Sequence, residues 1–138
     1  MKTKDSVWHI PNLSKLIDLH NKARQESSIS IVWSLPELHM NNDLMKYAQD
    51  WAENMATKGR LRHGNMQDIM SLGFSIALEN IAYGQKDEES VMKTWLKSSG
   101  HKRNILNKSV DSIGCGFYYD NRDVIYWCVC FGKSKVST

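Results

Sequence analysis

Apolar residues at three- and four-residue steps mark three helices along this chain, and two late runs dense in aromatic and β-branched residues mark strands. Leu13, Leu16, Ile17, His20 and Ala23 share one stripe, entered through Pro11 and Asn12, which predicts a first helix running to about Gln25. The clearest stripe is Leu44, Tyr47, Ala48, Trp51, Ala52, Met55 and Ala56, with Asn41 or Asn42 as the cap and Gly59 as the stop. It reads as plain core rather than an aromatic ligand box. In the third, Asp87 is followed by Glu88 and Glu89, a capping side chain and two carboxylates where unpaired N–H groups and the dipole favour them. Val91, Trp95 and, less regularly, Met92 form its apolar face, and Ser98, Ser99 and Gly100 break the pattern. Asn104, Ile105 and Leu106 predict one or two further turns, which would hold His101 in a fixed place.

Between these elements the pattern is weaker. Pro36 bars a helix through residues 26–38, which read as a loop with a short extended piece at Ile29 to Trp33. Residues 64–74 show no period and read as a loop. A short extended piece is expected around Leu78 to Ala82, with Glu79 and Asn80 on opposite sides, so that only one of them can face a site. Residues 112–132 read as a hairpin around the turn-forming cluster Asp120, Asn121, Arg122 and Asp123. Pairing Asp120 with Asp123 would place Cys115 opposite Cys128, with Cys130 diagonal on the same face. Both faces of this hairpin are apolar, so layers are expected on both sides of the sheet.

A length of 138 residues is that of one domain able to bury its own core, and 41% apolar with 24% charged residues argues against disorder. The net charge of +3 comes from scattered basic residues in runs no longer than two, which argues against nucleic acid as a partner. No apolar run approaches the roughly 18 residues of a membrane span, and the first ten residues lack the apolar centre of a signal peptide.

Five motifs stand in order: LHNKAR (Leu19 to Arg24), RHG with His63, LENIAYG with Glu79 and Asn80, WLKSSGHKRNIL with His101, and IGCGFYY. In this series the chain resembles the CAP superfamily of cysteine-rich secretory, antigen 5 and pathogenesis-related 1 proteins, and most of all its compact bacterial branch. The resemblance makes residues 1–138 a single CAP domain with a core of about 12–132. It implies an α/β fold: a three-layer αβα sandwich around a small, mainly antiparallel sheet. His63, Glu79, Ser98 and His101 match the family's cleft, and His63, His101 and Glu79 its metal ligands. Metal-binding relatives commonly carry a second Glu where Ser98 stands. Two histidines and one carboxylate could still hold zinc together with a water, so weak zinc binding is the expectation, with no cofactor required. Glu88 and Glu89, two turns earlier, read as helix-start charges rather than substitutes.

The resemblance further implies an exported or surface-displayed, monomeric, non-enzymatic binding module. A groove near the cleft would take a small hydrophobic ligand or a host or wall component. The rival reading is a metal-assisted or serine-type hydrolase, since proteolysis is claimed for parts of the family. No nucleophile elbow surrounds Ser98 or Ser99, which read as helix-terminal residues, so no catalytic residue is assigned. His20 reads as a core-edge histidine satisfied by backbone, against a role behind the cleft. Three cysteines cannot all pair within one chain. A Cys115–Cys128 cross-strand disulfide stands against buried free thiols. Directly opposed β-carbons at about 4.5–5.5 Å are wider than a relaxed disulfide prefers, which favours free thiols.

Overall fold

Local capping starts each long helix where its sequence asks for it. In a computed structural model describing residues 9–28 and 34–135, α1 spans Leu13–Glu26, and the Asn12 side chain accepts from the Lys15 N–H at 2.9 Å. A two-residue strand, β1 (His39–Met40), follows. Then α2 (Asn42–Lys58) is capped by Asn41, which accepts from the Leu44 N–H at 3.0 Å, and is closed by Gly59 at φ 60°, a left-handed conformation glycine adopts without strain. Helix α3 is one short turn, Met66–Met70. After it come β2 (Phe74–Tyr83), α4 (Glu88–Leu96), α5 (Ser99–Ile105), β3 (Ser112–Tyr119) and β4 (Ile125–Ser134). The extended piece expected at Ile29 to Trp33 lies outside the described residues.

The strands form one sheet in the order β1-β3-β4-β2, with β1 parallel to β3 and the other pairs antiparallel. Strand β4 is central, and its residues alternate between two cores. Trp127, Val129 and Phe131 pack with Leu16, Val91, Trp95 and Ile105 from α1, α4 and α5. Tyr126, Cys128 and Cys130 pack with Leu44, Ala48, Ala52, Met55 and Ile69 from α2 and α3. The molecule is the expected three-layer αβα sandwich. On the α2 side, β3 presents Gly114 and Gly116: a β-carbon at the first would lie 2.1 Å from the Leu44 carbonyl carbon, and at the second 2.4 Å from the Gln49 α-carbon. Helix backbone therefore rests directly on sheet backbone. Gln49 fastens the contact, donating to the Phe117 carbonyl at 2.6 Å and accepting the Phe117 N–H at 3.0 Å.

Several expectations are corrected. Residues 64–74 include α3, whose five residues are too few to display a period; Asn65 starts it by accepting from the Gln67 N–H at 2.9 Å. Strand β2 extends over ten residues because β4 pairs with it along its length, apart from an irregularity at Ser75. The break after α4 falls at Lys97 and Ser98, and Ser99 and Gly100 already belong to α5. The β3–β4 register is shifted by one residue: Tyr119 pairs with Ile125, and Cys115 faces Val129 rather than Cys128. The cause is in the turn, where Asp123 takes a left-handed φ of 64° and adds a third loop residue, while the Asp120 carboxylate accepts from the N–H groups of Arg122 and Val124. Since alternate strand residues face opposite ways, the shift sends Cys115 into the α1–α4–α5 core and leaves Cys128 and Cys130 in the α2 core. All three are buried free thiols.

Candidate functional site

The α2-to-β2 connection carries His63 and is fastened on both sides. Before it, the Arg62 carbonyl accepts the Trp51 indole N–H at 2.8 Å, and the Arg62 guanidinium lies 4.8 Å over the Trp51 ring while donating to Asn54 at 2.8 Å. After it, the Gly64 N–H donates to Glu79 Oε1 at 3.0 Å. Trp51 and Tyr47 are thus only half-buried edge members of the α2 stripe, turned toward this loop, while Leu44, Ala48, Ala52, Met55 and Ala56 supply the core. At Gly64 the loop passes close to α2: a β-carbon there would lie 2.3 Å from the Tyr47 hydroxyl, which would have to move aside.

Glu79 is the buried centre of this arrangement. Its Oε1 lies 2.8 Å from His63 Nδ1, and its Oε2 lies 3.6 Å from Cys128 Sγ. A carboxylate only accepts, so Nδ1 carries the proton and Nε2 is the free lone pair, on an imidazole side chain that is 62% exposed. The next residue, Asn80, faces the other way and is fully buried. Its Nδ2 donates to the His101 carbonyl at 3.0 Å, and its Oδ1 accepts from Asn104 at 2.9 Å. Strand alternation thus gives each neighbour one histidine: Glu79 orients the ring of His63, and Asn80 fixes the backbone of His101.

His101 sits in the first turn of α5, half-buried, with a buried Nδ1 that has no hydrogen-bond partner among the described residues. Burial, and then the nearby imidazole of His63, hold its pKa below the usual imidazole range. His63 and His101 are therefore electrostatic neighbours. Ser98 is the N-cap of α5, half-buried, and its side chain makes no capping bond. Among the described residues no hydrogen bond links Ser98 or Ser99 to His101.

The other polar groups singled out by pattern lie elsewhere. His20 is wholly buried between Trp95 and Phe131, with ring centroids 6.0 and 5.6 Å away. Its Nδ1 donates to the Leu16 carbonyl at 2.8 Å, and its Nε2 has no partner among the described residues. It is a core histidine, only half satisfied by backbone. Glu88 is more than a helix-start charge: it is buried, accepting from the Asn12 N–H and lying 3.1 Å from His9 Nε2, so it ties the start of α4 to the start of α1. Glu89 pairs with Lys15 on the surface. Pattern reading left two features without a role. One is Arg24, which donates from within the core to the carbonyls of Pro36, Ile105, Asn107 and Val110. The other is the CVC pair behind Glu79, whose two-residue spacing on a strand was the available signal.

Residues 17–131 match the family described as CAP, the cysteine-rich secretory protein family. A Bacillus subtilis (strain 168) protein, the uncharacterized YkwD, is 34% identical over 111 residues, covering 75% of this chain and 41% of YkwD. The chain thus spans less than half the length of that relative. Among solved structures, an extracellular protein containing an SCP domain from Bacillus anthracis aligns with a TM-score of 0.75 at 25% identity, over 88% of this chain and 40% of the other. An outer surface protein from Borrelia burgdorferi aligns with a TM-score of 0.73 at 23% identity, over 94% of this chain and all of the other.

Proposed function

Since this chain belongs to the CAP family, we propose that it is a non-enzymatic binding module, exported or displayed at the cell surface, whose cleft takes a divalent cation between His63 and His101. The observation that carries this reading is the 2.8 Å contact of His63 Nδ1 with buried Glu79. A carboxylate behind one ring nitrogen fixes the tautomer, orients the ring and raises the basicity of the other nitrogen, as it does behind metal-bound histidines. His101 would supply the second imidazole. Glu79 then acts as the acceptor that aims His63 rather than as a direct ligand. With Ser98 in place of a further carboxylate, the ion is held weakly. The extracellular and outer-surface descriptions of the structural relatives support export, and a hydrophobic groove ligand or a wall component remains the companion to the ion in this reading.

Calorimetric zinc titration tests it. Wild type should show a weak zinc-binding phase, and His63→Ala and His101→Ala should each remove that phase. Ser98→Glu should tighten it about tenfold or more, the scale of effect of groups that support metal ligands. Binding should weaken as pH falls, because a protonated imidazole is no ligand. Burial keeps His101 neutral further into acid than an ordinary histidine, so its share of the loss comes at lower pH. Equal heats in wild type and both alanine variants would refute the cleft.

A further inference from the structure

Behind Glu79, on the α2 face of β4, lie two thiols that the cleft does not use. Cys128 and Cys130 are two apart on one strand and so project to the same face; both are fully buried, with sulfurs 3.8 Å apart. Cys128 Sγ lies 3.6 Å from Glu79 Oε2, the oxygen left over once Oε1 has taken the donors of His63 and Gly64. The three donor atoms of Glu79, Cys128 and Cys130 all lie within 4.8 Å of one another.

Two of these separations match the edges of a coordination tetrahedron, and the third, between Cys130 and Glu79, is within 4.8 Å. Two Zn–S bonds of about 2.3 Å at the tetrahedral angle set the sulfurs about 3.8 Å apart, and one such bond with a Zn–O bond of about 2.1 Å sets sulfur and oxygen about 3.6 Å apart. We infer that Cys128, Cys130 and Glu79 form a thiolate site for a zinc-class divalent cation, on the inner side of the carboxylate that orients His63. The donor set selects the ion: two soft sulfurs disfavour Mg²⁺ and Ca²⁺, which take oxygen ligands. Three protein donors with one remaining position are a common zinc complement. Binding is a proton exchange. Two S–H bonds break, two S–metal bonds form, both protons leave to solvent, and no oxidant or reductant takes part. The inner site needs neither His101 nor Ser98, so it stands apart from the proposed cleft ion.

Co²⁺ is the probe, because thiolate ligation gives it an intense sulfur-to-metal charge-transfer absorption in the near ultraviolet. The purified chain, reduced and stripped with a chelator, should develop that band at stoichiometric Co²⁺ and lose it when Zn²⁺ is added. Cys115→Ser, which alters a thiol on the opposite face of the sheet, should keep the band. Cys128→Ser and Cys130→Ser should each abolish it while keeping the wild-type far-ultraviolet circular dichroism. His101→Ala should retain the band; its loss there would make His101 a ligand of the thiolate-bound ion and overturn a separate inner site. Absence of the band in reduced wild type, or its survival in both serine variants, would also overturn it. If the serine variants unfold, thiol alkylation of wild type in mild denaturant decides: Zn²⁺ should protect Cys128 and Cys130 but not Cys115, and equal labelling of all three rejects the site.

Discussion

Trp95 in α4 donates its indole N–H to the carbonyl of Ile81 in β2, 3.0 Å away and fourteen residues back in the chain. Asn104 in α5 donates likewise to the carbonyl of Glu79, at 3.2 Å. Strand β2 is an edge strand, and its outward carbonyls at alternate residues are the groups a sheet edge leaves unpaired. The α4–α5 segment therefore seals the edge that carries Glu79 and keeps that side chain aligned with His63.

Trp95 is fully buried, so Trp95→Ala should cost about 3–5 kcal/mol, and Trp95→Phe, which keeps much of the ring but strands the Ile81 carbonyl, about 1–3 kcal/mol. Urea denaturation checks both values. An alanine variant with an unchanged midpoint would mean that the ring is not part of the core.

Gly116→Ala should destabilise more than an ordinary surface or core methyl. The added carbon would meet the Gln49 backbone at 2.4 Å, and helix backbone cannot turn aside as a side chain can. Overpacking of about 1–3 kcal/mol is the lower expectation, because α2 must lift off the sheet as a unit. Thermal unfolding against Gly84→Ala, where open space surrounds the position but φ is 97°, separates the steric from the conformational cost.

Arg24→Lys should not be conservative. The guanidinium fork serves four carbonyls from three directions, and an ammonium offers three donors on a different geometry. With at least one buried acceptor left unpaired, a loss of about 1–3 kcal/mol or more is expected by chemical denaturation. Retention of full stability would show that the carbonyls find other donors.

His20 makes stability fall in mild acid. Burial lowers its pKa from 6.5 to about 4 in the folded chain, so between those values the unfolded chain binds a proton that the folded chain excludes. Stability is full above about 6.5 and declines as pH falls toward 4, by about 3 kcal/mol at one pKa unit per 1.36 kcal/mol. Denaturation midpoints of wild type and His20→Gln from pH 4 to 7 isolate the contribution: the variant should show the shallower slope. Parallel slopes would assign the acid sensitivity to other groups.

How much of this was legible along the chain follows from the range of each interaction. The starts of α1, α2 and α4, and the glycine stop of α2, are set by a side chain and backbone groups within four residues, so Asn12, Asn41, Asp87 and Gly59 announce them. The two apolar faces of the hairpin likewise foretold layers on both sides of the sheet. Helix α3 escaped because one turn is shorter than any period, and the hairpin register slipped by one because a left-handed Asp123 costs a single residue that alternation does not reveal. The motif resemblance named His63, Glu79, Ser98 and His101, but their relations belong to the packed molecule. Glu79 reaches His63 across sixteen residues and Cys128 across forty-nine. That meeting depends on β2 pairing with β4 and on a tight loop passing over Gly64, where no side chain intervenes. Local hydrogen bonds write the helices into the sequence; the division of one carboxylate between an exposed imidazole and a buried thiol is decided only when the sheet closes and sets which face each strand residue meets.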